Sequence, residues 1–290
     1  MRKTIDVTRA LLRRIPLPQP DAGSDKDARG RVLAMGGSAQ TAGAILLAGV
    51  AALRAGAGKL QLATVRTSAA ALGVAVPESL VVALAEGRAG EIAGDAAGRT
   101  LSRWIPDVDA LLIGPGMSSD RAALVVLRAL VPRLHADATL VLDAAAILAS
   151  ARATRLLRHL GRAVLTPHAG EMASLLGIEK EAVEDDPATV AREAAAHLGV
   201  VVALKGPETW IAEPDGTLYH YSGGSVGLAT SGSGDTLAGI VAGLAARGAS
   251  AAHAAVWGAY LHGAAGQALA RRLGPIGYLA RELLDEVPGV

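Results

Sequence analysis

A chain of 290 residues, 51% of them apolar, is long enough to bury a large core as one α/β domain or two small ones. Its formal net charge of +1, with Lys and Arg spread evenly, excludes a nucleic-acid footprint, which needs clustered cations, and points to a small-molecule partner. The absence of cysteine excludes disulfides, thiolate catalysis and Cys-bound metal, and suits a reducing compartment.

The N-terminus, MRKTIDVTRALLRR, has charge but no apolar stretch before a small-residue cleavage site, so it does not read as a signal peptide. Residues 1–30 read as an arm with one helix at 7–14, followed by three prolines and a polar run, packed on a single domain of residues 31–290. The longest apolar run, from Ala42 to Leu53, contains glycines and stops at Arg54, short of the roughly 18 to 20 residues of a membrane span. A soluble, cytoplasmic protein with no membrane partner is expected.

From residue 31 onward, short apolar runs alternate with longer amphipathic ones, the pattern of a mostly parallel sheet with helices on both faces. Strands are predicted at 31–35, 59–64, 80–84, 110–113, 139–142, 163–165 and 200–204, and helices at 42–54, 96–104, 121–134, 170–176 and 188–198. Residues 209–212 and 217–221, parted by Pro214-Asp215-Gly216, read as a β-hairpin at the sheet edge. Helices then follow at 234–247, 250–273 and 278–286. With no Phe and few Tyr or Trp, the core must be aliphatic and closely packed. Ligands of open α/β sheets sit outside the carboxyl ends of the strands. Five motifs fall there: Gly36-Gly37-Ser38, Gly114-Pro115-Gly116, Asp143, Thr166-Pro167-His168 and Lys205-Gly206.

The strongest motif is Thr230-Ser231-Gly232-Ser233-Gly234-Asp235, at the head of an apolar helix. Glycines there let backbone N–H groups turn to an anion, and the helix start adds partial positive charge. Asp235 is then either a helix cap or the base that takes the proton of a substrate hydroxyl as it attacks phosphorus. His168 reads as a structural hydrogen-bonder or a substrate contact, and Glu171 as a first-turn helix residue. Lys205 faces either solvent or a nucleotide phosphate, and Asp143 either caps the next helix or holds a magnesium-bound water. The histidines show no metal spacing. Gly58-Lys59 is not a P-loop, because Leu53 and Leu60 stand where its glycine and hydroxyl belong, and no G-x-G-x-x-G follows the first strand.

Taken in order, Gly36-Gly37-Ser38, Ala42-Gly43-Ala44, Gly114-Pro115-Gly116, Asp143-Ala144, Thr166-Pro167-His168-x-Gly170-Glu171, Lys205-Gly206 and Gly232-Ser233-Gly234-Asp235 resemble the ADP-dependent NAD(P)H-hydrate dehydratases across about residues 30–288. The resemblance implies a ribokinase-like α/β fold. It also implies removal of water from the S epimer of hydrated NADH or NADPH, with ADP (or ATP) as co-substrate and Mg2+ as the usual metal. Carried onto matching positions, Ala44, Gly116, His168 and Asp235 contact the hydrated nucleotide. Lys205, Gly206, Pro207, Glu208, Thr209 and Gly234 hold the AMP portion, Asp235 is the base, and the N–H groups of Gly232, Ser233 and Gly234 form the anion hole.

The resemblance further implies a homo-oligomer. A separate epimerase is expected as functional partner, because this chain has no room for the epimerase domain that many relatives carry. Two positions depart from the family pattern: Ala169, often Pro, and Ser225, often Asn. Two other readings are a small-molecule kinase that leaves phosphate on a vitamin or sugar, and a nucleotide-binding protein without turnover. The intact Asp235 weighs against the second.

Overall fold

The computed structural model describes residues 4–21, 23 and 25–289. Its elements in chain order begin β1 (Thr4–Asp6), α1 (Arg9–Arg14), β2 (Arg31–Met35), α2 (Ala42–Arg54), β3 (Lys59–Val65), α3 (Arg66–Ala75), β4 (Ser79–Leu84), α4 (Gly94–Leu101), β5 (Ala110–Ile113) and α5 (Asp120–Leu130). They continue with β6 (Thr139–Leu142), α6 (Ala145–Ser150), α7 (Thr154–Leu160), β7 (Ala163–Leu165), α8 (Ala169–Leu176), α9 (Lys180–Asp185), α10 (Pro187–Leu198) and β8 (Val201–Leu204). The last are β9 (Thr209–Ala212), β10 (Leu218–Tyr221), α11 (Ser233–Ala246), α12 (Ala251–Leu273) and α13 (Ala280–Glu286).

The strands form one 10-stranded sheet in the order β1-β10-β9-β8-β7-β6-β5-β2-β3-β4. Neighbours from β8 through β4 are parallel, and β9 alone runs against the strands beside it. The predicted hairpin forms as β9 and β10. Beyond it lies β1, drawn from the expected N-terminal arm and paired in parallel with β10, Ile5 opposite Tyr219. The arm's helix begins two residues later than predicted, because Thr8 is extended and its hydroxyl accepts the N–H of Leu11.

Alternation along the strands divides the core. On β2, Val32 and Ala34 face a cluster with α2, α11 and α12, while Leu33 and Met35 face a second cluster with α4, α5 and α10. Aliphatic packing is taken furthest in α11, where every residue from Thr236 to Ala246 is buried. A Cβ on Gly239 would run into the carbonyl of Ala48 and one on Gly243 into that of Ala52, so α11 and α2 meet backbone to backbone. Four helices were not predicted: α3, α6, α7 and α9. The predicted helix over 96–104 ends instead at Leu101, followed by a 3-10 turn at Ile105–Asp107 with proline inside it.

Candidate functional site

The five predicted loops leave the sheet side by side, because β8, β7, β6, β5 and β2 are consecutive neighbours. Their residues touch in the same sequence. The N–H of Lys205, after β8, donates to the carbonyl of Pro167, after β7, at 2.7 Å. The hydroxyl of Thr166 donates to Asp143 Oδ1, after β6, at 2.7 Å. Gly114, after β5, lies so close to the Asp143 carbonyl that a side chain there would collide with it. Gly37, after β2, donates to the Pro115 carbonyl at 2.7 Å.

Lys205 is the electrostatic centre. Its ammonium lies 3.1 Å from Asp143 Oδ1 and 3.9 Å from Glu171 Oε2. Burial opposes its charge, but Asp143, Glu171 and Asp235 together outweigh that and hold its pKa above the usual lysine value. Lys205 is therefore no solvent-facing strand end. Asp143, 3% exposed, does not cap α6 either, since no side chain caps that helix and Asp143 Oδ1 is taken by Thr166 and Lys205.

Asp235 sits in the first turn of α11 and does not cap it: the cap position is Gly232, at φ 88, where a side chain is strained, and no side chain bonds to the helix start. Burial pushes Asp235 up to about 7, aided by the charge of Asp143 and opposed by Lys205. A carboxylate poised near neutrality beside a helix N-terminus can take up and hand on a proton at physiological pH.

His168 caps α8. Its Nδ1 accepts the N–H of Gly170 at 3.0 Å and of Glu171 at 3.2 Å, while Glu171 Oε2 accepts the N–H of His168 at 2.9 Å. With Nδ1 accepting, the neutral ring carries its proton on Nε2, on a side chain that is 60% exposed. The structural role and an exposed donor coexist. Glu171, a first-turn residue as predicted, also closes the capping box and faces Lys205. Ala169 occupies the first helical position, where proline is equally at home.

A cavity of about 740 Å³ opens between the β8–β9 turn, the loop before α11, and α12. His168, Lys205, Gly206, Pro207, Thr209, Ser233 and Gly234 line it; Glu208 does not, and instead pairs with His220 Nε2 at 2.9 Å. Ala44, Gly116 and Asp235 also lie outside its wall. Ala44 and Gly116 are adjacent to each other: Gly116 has φ 68, its carbonyl accepts the Thr41 hydroxyl at 2.6 Å, and a Cβ on it would come within 2.8 Å of that of Ala44. Of the predicted nucleotide residues all but Glu208 thus line the cavity; of the predicted substrate residues His168 lines it, Asp235 is in the first turn of α11, and Ala44 and Gly116 meet in the loops after β2 and β5.

Two participants, His262 and Tyr278, carry no signal in sequence spacing. His262, on α12, lines the cavity and its Nε2 lies 2.9 Å from the hydroxyl of Ser233, with burial pushing its pKa down to about 4. Thr166, already part of the predicted motif after β7, fixes Asp143 through its hydroxyl. Tyr278 bonds the hydroxyl of Ser225 at 2.6 Å, so the residue that departs from the family pattern already has its partner. Among the described residues no group of three or more His, Cys, Asp or Glu is gathered to hold a metal, and no helix is long and apolar enough to cross a membrane.

Residues 32–289 match the family of NAD(P)H-hydrate dehydratases. An ADP-dependent (S)-NAD(P)H-hydrate dehydratase of Xanthomonas campestris pv. campestris is 50% identical over 98% of this chain and 95% of its own length. A bifunctional NAD(P)H-hydrate repair enzyme of Moorella thermoacetica is 44% identical over 96% of this chain, which spans 52% of that enzyme. Among solved structures, the ADP/ATP-dependent NAD(P)H-hydrate dehydratase of Bacillus subtilis, co-crystallised with ATP and Mg2+, superposes with a TM-score of 0.82 at 28% identity, covering 100% of this chain and 98% of that one. With its motifs carried to one sheet edge and both chains matched end to end, the protein belongs to the NAD(P)H-hydrate dehydratase family.

Proposed function

We propose that this chain dehydrates the S epimer of hydrated NADH or NADPH, using ADP as co-substrate and releasing NAD(P)H, AMP and phosphate. The observation that carries the reading is the placement of Asp235: a carboxylate with a pKa of about 7 in the first turn of α11, next to a cavity whose wall includes Lys205 and Gly234. The nucleotide lies along Lys205, Gly206, Pro207 and Thr209, and its transferring phosphoryl group meets the N–H groups of Gly232, Ser233 and Gly234. Glu208 belongs to this segment through its backbone, since its carboxylate is engaged by His220.

Asp235 accepts the proton of the ring hydroxyl as that oxygen bonds to the β-phosphorus of ADP and the bond to the AMP oxygen breaks. Lys205 balances the charge that gathers on the phosphoryl oxygens. Phosphate then departs with the carbon–oxygen electron pair, pushed by the ring nitrogen lone pair, and loss of a proton from the adjacent ring carbon restores the dihydropyridine. Ala44, Gly116 and the Nε2–H of His168 hold the hydrated ring over β2 and β5.

Magnesium belongs to this proposal as an ion carried in on the nucleotide. The donor set fits an ion coordinated chiefly by phosphate and water, whose waters Asp143 and Glu171, the carboxylates beside Lys205, would hold. Bound there, it would neutralise phosphate charge. A homo-oligomer, a cytoplasmic setting and an epimerase that supplies the S form complete the reading.

The direct test is purified protein with S-NADHX, Mg2+ and ADP, following near-ultraviolet absorbance and AMP. A rise that requires nucleotide and is matched by AMP release supports the proposal. Accumulation of a stable phosphorylated product in its place would convert it to a kinase.

A further inference from the structure

A second cavity, of about 730 Å³, lies between α1, α12 and the C-terminal ends of α2 and α11. The chain has a net charge of +1, yet Arg9, Arg13, Arg54 and Arg247 all line this one space, and no Asp or Glu does. Among the described residues only Arg54 of the four has a carboxylate partner, Asp285 at 2.7 Å. Arg247 is half-buried, spends its two terminal nitrogens on the carbonyls of Ala55 and Pro18, both at 2.8 Å, and has Arg29 as its charged neighbour.

Arginine at a helix C-terminus is favoured by the helix dipole, and that accounts for Arg13, Arg54 and Arg247. It does not account for Arg9, the first residue of α1, where the dipole disfavours a cation. Arg9 is nonetheless held in place by Tyr260, whose hydroxyl accepts from its Nε at 3.2 Å. The rest of the lining is largely apolar and aromatic. Trp257 and Tyr260 stand edge to face at 6.2 Å, and Trp257 is fixed by a 2.7 Å bond from its indole N–H to the Ile15 carbonyl.

We propose that this cavity is a binding site for a small phosphorylated ligand with an aromatic body, its phosphate held by Arg9 and Arg13, with Arg247 adding positive charge behind them, and its ring packed against Trp257 and Tyr260. Guanidinium forks match phosphate oxygens in geometry, and a cavity of this size takes a ligand of mononucleotide dimensions. The site is distinct from the cleft. α11 has its first turn in the cleft and its last beside Arg247, and its 14 residues span about 20 Å.

Phenyl phosphate, titrated by calorimetry without magnesium, tests the assignment. It should bind wild-type protein and the cleft variant Lys205→Ala with similar affinity, more tightly than inorganic phosphate does, and at least tenfold more weakly to Arg9→Glu/Arg13→Glu. Binding that is unchanged in the double variant, or lost in Lys205→Ala, overturns it. If either variant fails to fold, hydrogen exchange on wild-type protein decides: phenyl phosphate must slow exchange over residues 9–17, and protection confined to residues 232–235 overturns the site.

Discussion

Lys205 presses its ammonium against Gly234, so closely that a Cβ on the glycine would come within 3.1 Å of Nζ. The glycine has no unusual backbone angle and sits in the first turn of α11, so its absence of a side chain serves the lysine.

Gly234→Ala should therefore fold normally, with a stability change of no more than about 1 kcal/mol, since alanine is the better helix former. The methyl group displaces the ammonium and narrows the anion hole. The KM for ADP should rise tenfold or more, measured by steady-state titration beside a thermal melt; an unchanged KM would show that Lys205 does not meet the nucleotide.

Asp235→Asn should lower turnover by three orders of magnitude or more while leaving ADP affinity within a few-fold. In wild-type protein the base must be ionised, so kcat/KM should climb with pH through about 7, the value set by burial beside Asp143. A profile that is flat from pH 5.5 to 8.5 would take the base role from Asp235.

Stability should show an opposing pair. Between pH 4 and 6.5 the folded chain keeps a proton on Asp235 that the unfolded chain has released, which favours folding at the acid end. Over the same window it lacks a proton on His262 that the unfolded chain takes up, which favours folding at the neutral end. The two offset. Asp235→Asn leaves His262 alone, and its stability should rise from pH 4.5 to 6.5 by up to about 3 kcal/mol relative to wild type. Parallel urea-midpoint curves for the two proteins would contradict this.

Removing Lys205 leaves Asp143 buried beside a hydroxyl with no counter-charge. Lys205→Met should cost about 3 to 5 kcal/mol, and adding Asp143→Asn should return much of it without restoring activity. Chemical denaturation of the single and double variants measures both.

Ala144 is the one non-glycine residue with positive φ among the described residues, at φ 47 and ψ −127 directly after Asp143. Ala144→Gly should relieve this strain and raise stability by about 1 kcal/mol, read as a higher melting temperature.

What the sequence revealed depended on contrast. α2 was legible to the residue, because glycine-rich turns bound it on both sides, and β5, β6, β7 and β9 were legible because each is a short aliphatic or aromatic run between breakers. α3 was not. Its residues, RTSAAALGVA, mix small apolar and polar types without a wide stripe, and it is tertiary packing of Ala69 and Leu72 that fixes it. β1 has three residues and exists only because β10 offers an unpaired edge.

At the site, Asp235, His168 and Lys205 stood out because each follows a strand or opens a helix with glycine nearby. His262 and Tyr278 did not, since a residue that acts on the site from the middle of a helix or a distant turn leaves no local pattern. The helix-cap reading of Asp143 and the solvent-facing reading of Lys205 are removed by a pairing 62 residues apart, which spacing alone does not encode.

The backbone-to-backbone seam between α2 and α11 leaves neither helix room to slide or turn. Adjustment to the co-substrate then falls to the segment from Ser222 to Thr230, which lines the cavity, and adjustment to one dinucleotide or another to the loops over β2 and β5. Substrate preference in such a protein can drift through those loops while the chemical machinery stays immobile beneath them.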